Sequence, residues 1–275
     1  MVNKIAFIGA GSMAEAILAG IVAKEVLPAK QISVTNRQNQ DRLNVLVNQY
    51  GVFASTNKEE VVSGADVVIL SMKPKDVEAA IATVKPYIKE DQLVISVLAG
   101  VSTDFLSEQL SSSVPVIRTM PNTSATIGQS ATAIAAGKFA TDDHVAKAAE
   151  LLTAIGTTTV VEEKDLHTIT GLSGSGPAYF YYMVEAMETA AVNAGIDEKI
   201  AKELALQTIS GAAQMLKQTG ENPSELRKKI TSPGGTTQAA IETLDQFKFQ
   251  EAIEACITNA AKRSEEMGAA FKISK

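Results

Sequence analysis

The chain has 275 residues and 45% hydrophobic content, enough for one large core or two modest ones, and its length points to about two domains. With 25 Lys and Arg against 31 Asp and Glu it carries a formal net charge of −6, the wrong sign for general nucleic-acid binding, which selects positive surfaces. Cys256 is the only cysteine, so no disulfide can form within the chain. The start lacks a basic and apolar leader, and no run is apolar enough to span a bilayer, so the expectation is a cytoplasmic protein without a membrane partner.

The first element is an apolar strand, Lys4-Ile5-Ala6-Phe7-Ile8, breaking into Gly9-Ala10-Gly11-Ser12-Met13-Ala14 and then a helical pattern through Ile17, Leu18 and Ile21. This is G-x-G-x-x-A in its proper context, the opening of a dinucleotide-binding fold. Gly9 permits the tight turn, Gly11 lets backbone approach a pyrophosphate, and Ala14 allows close helix packing. Gly9, Gly11, Ser12 and Met13 are therefore candidate cofactor contacts at a helix N-terminus, whose amides attract phosphate.

The second strand, Gln31 to Thr35, ends in Asn36-Arg37, where an NAD-specific fold usually offers an acid to the ribose 2′-hydroxyl. No acid stands there. Arg37 can fork onto a 2′-phosphate with Asn36 bonding beside it, which predicts NADPH as the preferred coenzyme and NADH as an alternative. The competing reading makes Arg37 a solvated surface charge.

Val67 to Leu70 and Leu93 to Val97 are continuous apolar runs, the form of parallel strands buried on both faces, and they imply a doubly wound sheet. Ligands bind at the carboxyl ends of such strands, here Ser71-Met72-Lys73-Pro74 and Leu98-Ala99-Gly100. Lys73 faces the cofactor or is a surface lysine. The segments 114–118, 131–135 and 157–161 extend the sheet.

After Glu163 strands give way to long helical periodicities, so the expected domains are an α/β unit over 1–163 and an all-α unit over 164–275. Pro177 suits a helix first turn, Asp197 an N-cap, and Phe180, Met187, Ile200, Leu204, Leu216, Phe249 and Met267 read as core positions. Cys256, on the stripe Ile253, Cys256, Ile257, Ala260, also reads as a packing residue. A helical unit this apolar and this short buries itself better against a second copy, which predicts a homodimer.

Two segments of the helical half do not look like packing. Gly171 to Ala178 is rich in Gly and Ser before a helix that needs only one cap. In Ile230 to Ile241 a Pro233-Gly234-Gly235 turn delivers Thr236 and Thr237 to a helix start, so amides, hydroxyls and the helix dipole converge as an anion site without a cation. The helix is expected to begin near Gln238 with Thr237 at its amino end, and the alternative is an ordinary Thr-capped helix.

At these residues the sequence resembles pyrroline-5-carboxylate reductase over essentially the whole chain. The most specific part runs from Pro223-Ser224-Glu225-Leu226 through Thr231-Ser232-Pro233-Gly234-Gly235-Thr236-Thr237 to Leu244-Asp245. The resemblance implies an N-terminal Rossmann domain, a helical dimerisation domain, and NAD(P)H-dependent reduction of 1-pyrroline-5-carboxylate to L-proline. It implies that Gly235, Thr236 and Thr237, with Ser175, hold the substrate, and that Asn57, Ser71, Met72, Lys73, Pro74 and Ala99 line the cofactor. Met72 stands where the family commonly has valine. Association of dimers into larger assemblies stays open.

A protonated cyclic imine accepts hydride readily, so such an enzyme must mainly align substrate and cofactor, exclude water and hold the carboxylate. That suits a chain whose histidines, His144 and His167, lie outside the glycine-rich segments. Thr237 is the candidate catalytic contact to the ring nitrogen. His144, after Thr141-Asp142-Asp143, reads as solvated, and no metal-ligand spacing appears, so no metal is expected. Asn122-Thr123-Ser124 matches a glycosylation sequon by coincidence. A β-hydroxyacid dehydrogenase would normally place a catalytic lysine early in the helical domain, and Gly171 to Ala178 contains none. A non-enzymatic NADP sensor would have no use for the Pro-Gly-Gly-Thr-Thr site.

Overall fold

A computed structural model describes residues 2–110 and 113–271. The chain forms two compact units, Met1–Ser175 with Thr258–Lys275, and Gly176–Ile257.

The first unit is built on an eight-stranded sheet of order β3-β2-β1-β4-β5-β6-β7-β8. Its strands are β1 (Ile5–Ile8), β2 (Ile32–Thr35), β3 (Phe53–Ala54), β4 (Val67–Leu70), β5 (Leu93–Ser96), β6 (Val116–Met120), β7 (Ser130–Ala136) and β8 (Gly156–Val160). All neighbours run parallel except β6 and β7, which are antiparallel. The first six reproduce the doubly wound order 3-2-1-4-5-6. β3 is too short for its alternation to be read from sequence.

Side chains alternate through the central strands onto two cores. Ile5, Phe7, Ile69 and Ile95 join one with Ile17 and Ile21 of α1 (Ser12–Ala23), while Ala6, Ile8, Val68 and Val94 join the other. Burial on both faces is why these strands are apolar without interruption. The crossover helices are α2 (Gln40–Tyr50), α3 (Lys58–Val62), α4 (Val77–Val84), α5 (Thr103–Leu110) and α6 (Asp142–Leu152).

The change of texture at Glu163 marks the end of the strands, but the compact division falls after Ser175. The physical reason is α7 (Leu166–Ile169), whose Leu166 is fully buried with Met120, Ala133 and Ala135 against the sheet. A π-helical turn over Thr170–Gly174 follows.

The second unit holds α8 (Gly176–Asn193), α9 (Glu198–Thr219), α10 (Pro223–Lys229), α11 (Thr236–Gln246) and the start of α12 (Phe249–Ala269), whose residues from Thr258 belong to the first unit. Asp197 caps α9 by accepting from the amides of Lys199 and Ile200 at 3.0 and 3.2 Å, and Gly220 ends it at φ 64°. The expected packing does not occur within one chain. Phe180, Met187, Ile200, Leu204, Leu216, Phe249 and Met267 are exposed, as is Cys256, because these helices leave their apolar faces uncovered.

Candidate functional site

The carboxyl ends of β1 and β4 meet at the switch point of the sheet. Ser71 N–H donates to Ile8 O at 2.9 Å, its Oγ donates to Gly9 O at 3.1 Å, and Gly9 N–H donates to Thr35 O at 2.9 Å. Gly9 has φ +117°, and a Cβ there would lie 2.6 Å from Ser71 C, so both turn and close approach demand glycine. Gly11 is glycine for another reason. The nearest non-adjacent atom to a Cβ there is Ser71 O at 4.0 Å, so the protein's own packing does not require the missing side chain. Its absence keeps space open above the first amides of α1, where Gly11 is the N-cap without any side-chain cap bond. That cradle fits a pyrophosphate.

Ser12 is exposed on this helix start and Met13 packs partly on the first core. Met72 and Pro74 are half-buried and Lys73 is exposed, on the turn after β4. Ala99 lies in the turn after β5, half-buried against Met120 and Leu166.

At the end of β2 the side chain of Asn36 is spent locally: Oδ1 accepts from Asn39 N at 2.9 Å and Nδ2 donates to Asn39 O at 2.7 Å. Arg37 is exposed. Asn57 caps α3 by accepting from Glu59 N and donates through Nδ2 to Glu60, so its side chain is engaged within its own loop. Two residues here escape sequence reading. Lys58 places its ammonium at Thr35 and Asn36, and Arg42 of α2 bonds Ala10 O in the glycine turn. A basic residue next to Asn57 was the only signal for Lys58. Nothing local announced Arg42.

Ser175 ends the π-helical turn and, with Ala99, Thr170, Arg263, Ser264 and Met267, lines a cleft of about 220 Å³ in the first unit. Close by in sequence, Gly268 packs directly on Gly100, since a Cβ on Gly268 would meet Gly100 O at 2.6 Å.

In the second unit, α11 begins at Thr236, two residues before the expected Gln238, and its N-cap is Gly235 without a side-chain cap bond. Gly234 turns with φ +69°, and its N–H donates to Gln238 Oε1 at 2.8 Å, closing the loop from inside the helix. The helix therefore starts without spending a threonine hydroxyl on the cap. Thr236 is exposed and Thr237 half-buried, both in the first turn where amides lack helical acceptors.

The histidines have structural work. His144 Nδ1 accepts from Thr141 N at 3.1 Å in a capping box at α6; burial and Lys147 lower its pKa against the pull of Asp143. His167 Nδ1 pairs with Ser264 Oγ at 2.9 Å. Among the described residues no His, Cys, Asp and Glu group could hold a metal, and no helix is long and apolar enough to cross a membrane.

Comparison with known proteins extends these observations. Residues 163–267 match the family described as pyrroline-5-carboxylate reductase dimerisation, and residues 4–100 match NADP oxidoreductase coenzyme F420-dependent. The chain is 46% identical to pyrroline-5-carboxylate reductase 1 of Bacillus subtilis, over 96% of this chain and 89% of that protein. A solved pyrroline-5-carboxylate reductase from Coxiella burnetii superposes with TM-score 0.89 at 33% identity, covering 96% of this chain and 98% of that one. The Plasmodium falciparum pyrroline carboxylate reductase, solved with NADP bound, superposes with TM-score 0.87 at 25% identity, covering 97% and 98%.

Proposed function

Because the chain belongs to the pyrroline-5-carboxylate reductase family, we propose that it reduces 1-pyrroline-5-carboxylate to L-proline as a homodimer, with NADPH preferred and NADH as an alternative. The observation that carries the substrate reading is the start of α11, where Gly235 takes the cap position and leaves the first-turn hydroxyls for a ligand. There the amides and the dipole of an eleven-residue helix receive a carboxylate. Gly235, Thr236 and Thr237 hold that group.

Reduction of an imine needs a hydride at carbon and a proton at nitrogen. The reduced nicotinamide supplies the hydride when bound. Gly9, Gly11, Ser12 and Met13 would hold its pyrophosphate, and Ser71, Met72, Lys73, Pro74 and Ala99, on the turns after β4 and β5, would line the rest of the coenzyme. Thr237 hydrogen-bonds the ring nitrogen, orienting it and steadying the proton there. No stronger acid is required, because the imine is already basic enough to be protonated.

The dimer reading is supported by the apolar faces of the second unit. Phe180, Tyr181 and Tyr182 are 55%, 64% and 76% exposed in the single chain, an arrangement that a second copy would cover.

NADPH consumption measured with pyrroline-5-carboxylate, with a β-ketoacid and with neither tests the reaction. Turnover with the imine alone is the expected result. Turnover with the ketoacid instead would move the chain to the β-hydroxyacid dehydrogenases, and NADPH binding without turnover on either would make it a binding protein.

A further inference from the structure

Lys58 holds its ammonium at the carboxyl end of β2 by three bonds. Nζ donates to Thr35 Oγ1 at 2.8 Å, to Asn36 O at 2.7 Å and to Thr56 O at 3.0 Å. A lysine has three protons to give, and all three go to neutral oxygens. Among the described residues it forms no ion pair with a carboxylate. Glu60, on the same short helix, is turned elsewhere: its oxygens accept from Ser55 Oγ at 2.7 Å and Asn57 Nδ2 at 3.1 Å.

This is a fixed positive charge, partly desolvated and without a counterion. Burial lowers its pKa, which is the cost of keeping it there. The charge sits beside Arg37, on the loop where a dinucleotide fold reads the adenosine ribose, and Asn36 cannot share that work while its side chain is bound to Asn39.

We propose that Lys58 is a coenzyme-specificity residue, whose ammonium, with Arg37, supplies the positive field that selects a ribose 2′-phosphate over a 2′-hydroxyl. The inference rests on the NADPH reading above and deepens it. With its three protons engaged, Lys58 acts through its charge and through the loop it holds, while Arg37 is the exposed group that reaches the phosphate.

The test is calorimetric binding of 2′,5′-ADP and of 5′-ADP to the full chain, wild type and Lys58→Met, with melting curves recorded beside it. Lys58→Met should weaken 2′,5′-ADP on the order of tenfold, leave 5′-ADP within about twofold, and flatten the salt dependence of 2′,5′-ADP binding. Lys58→Arg should restore most of the discrimination. Lys58→Gln, which keeps a donor for the loop without the charge, repeats the comparison should Lys58→Met fail to fold. Equal losses of both nucleotides in the neutral variants would make Lys58 a loop clamp and overturn the proposal. Wild-type protein binding the two nucleotides equally would overturn the NADPH reading itself and Lys58's role with it.

Discussion

Arg42 Nε donates to the Ala10 carbonyl at 2.8 Å, so a helix of the second βα unit holds the glycine turn of the first. The same guanidinium pairs through Nη2 with Glu15 Oε2 at 2.5 Å, and Tyr50 OH donates to Glu15 Oε1 at 3.0 Å. Arg42→Ala should raise KM for NADPH and NADH by the same several-fold factor, because both coenzymes use the turn and neither 2′ group is involved. Steady-state kinetics with the two coenzymes check it.

The same network sets a pH response. The hydrogen bond from Arg42 is the largest cause holding the Glu15 carboxyl below its ordinary range, assisted by Tyr50 and opposed by desolvation. A depressed carboxyl contributes stability that is complete above roughly pH 4.3, the unperturbed glutamate value, and lost as pH falls through the lowered folded value. Melting curves should therefore show Arg42→Ala destabilised by about 1 kcal/mol near neutrality, the scale of partly exposed pairs. The gap should close in acid.

Arg37→Ala should lower kcat/KM for NADPH by roughly tenfold while changing NADH little, the scale of one charge-assisted phosphate contact. Its exposure means that folding should be untouched. Kinetics with both coenzymes, run beside a thermal melt, decide between this and a solvated arginine, which would change neither.

Thr237→Ala should lower kcat and kcat/KM together while the melting temperature holds. The cap of α11 belongs to Gly235, so the cost of about 1 kcal/mol for losing a cap is not incurred. NADPH affinity should be unchanged. A variant that melts early and turns over normally would give Thr237 a structural role only.

Glu163 neutralises Arg118, a β6 residue only 2% exposed, through Nη1 at 3.2 Å, and it also accepts from Thr103 N at 2.8 Å and Thr103 Oγ1 at 2.5 Å. Arg118 Nε and Nη2 are buried without partners among the described residues, and desolvation lowers its pKa against the pull of Glu163. Glu163→Ala would leave a buried charge uncompensated. We expect a loss of roughly 2–3 kcal/mol by denaturant unfolding, under the ~3–5 kcal/mol of a fully buried pair, because the Glu163 side chain is 26% exposed.

Phe180→Glu together with Tyr182→Glu should convert a dimer to monomers in analytical ultracentrifugation, since both side chains stand exposed on α8 in the single chain. A wild-type protein sedimenting as a monomer at micromolar concentration would remove the dimer.

What the sequence determined by itself was local chemistry. The glycine turn after β1, the unbroken apolar strands, the Asp197 cap and the Pro-Gly-Gly turn each depend on a few adjacent residues and their backbone preferences, and each could be read from those residues alone. The tertiary structure decided what depends on residues distant in sequence. Lys58 reaches Thr35, Arg42 reaches Ala10 and Glu163 reaches Arg118 only once the strand order and register have set them side by side. It also moved the start of α11 to Thr236, because Gly235 takes the N-cap position and Gln238 accepts from Gly234 in the turn before it, and it left the apolar stripes of the second unit exposed. Periodicity says which residues share a helix face. Whether that face meets its own chain or another is fixed by how much surface the other helices can cover, and in the second unit they cover little beyond Ala201 and Ala205.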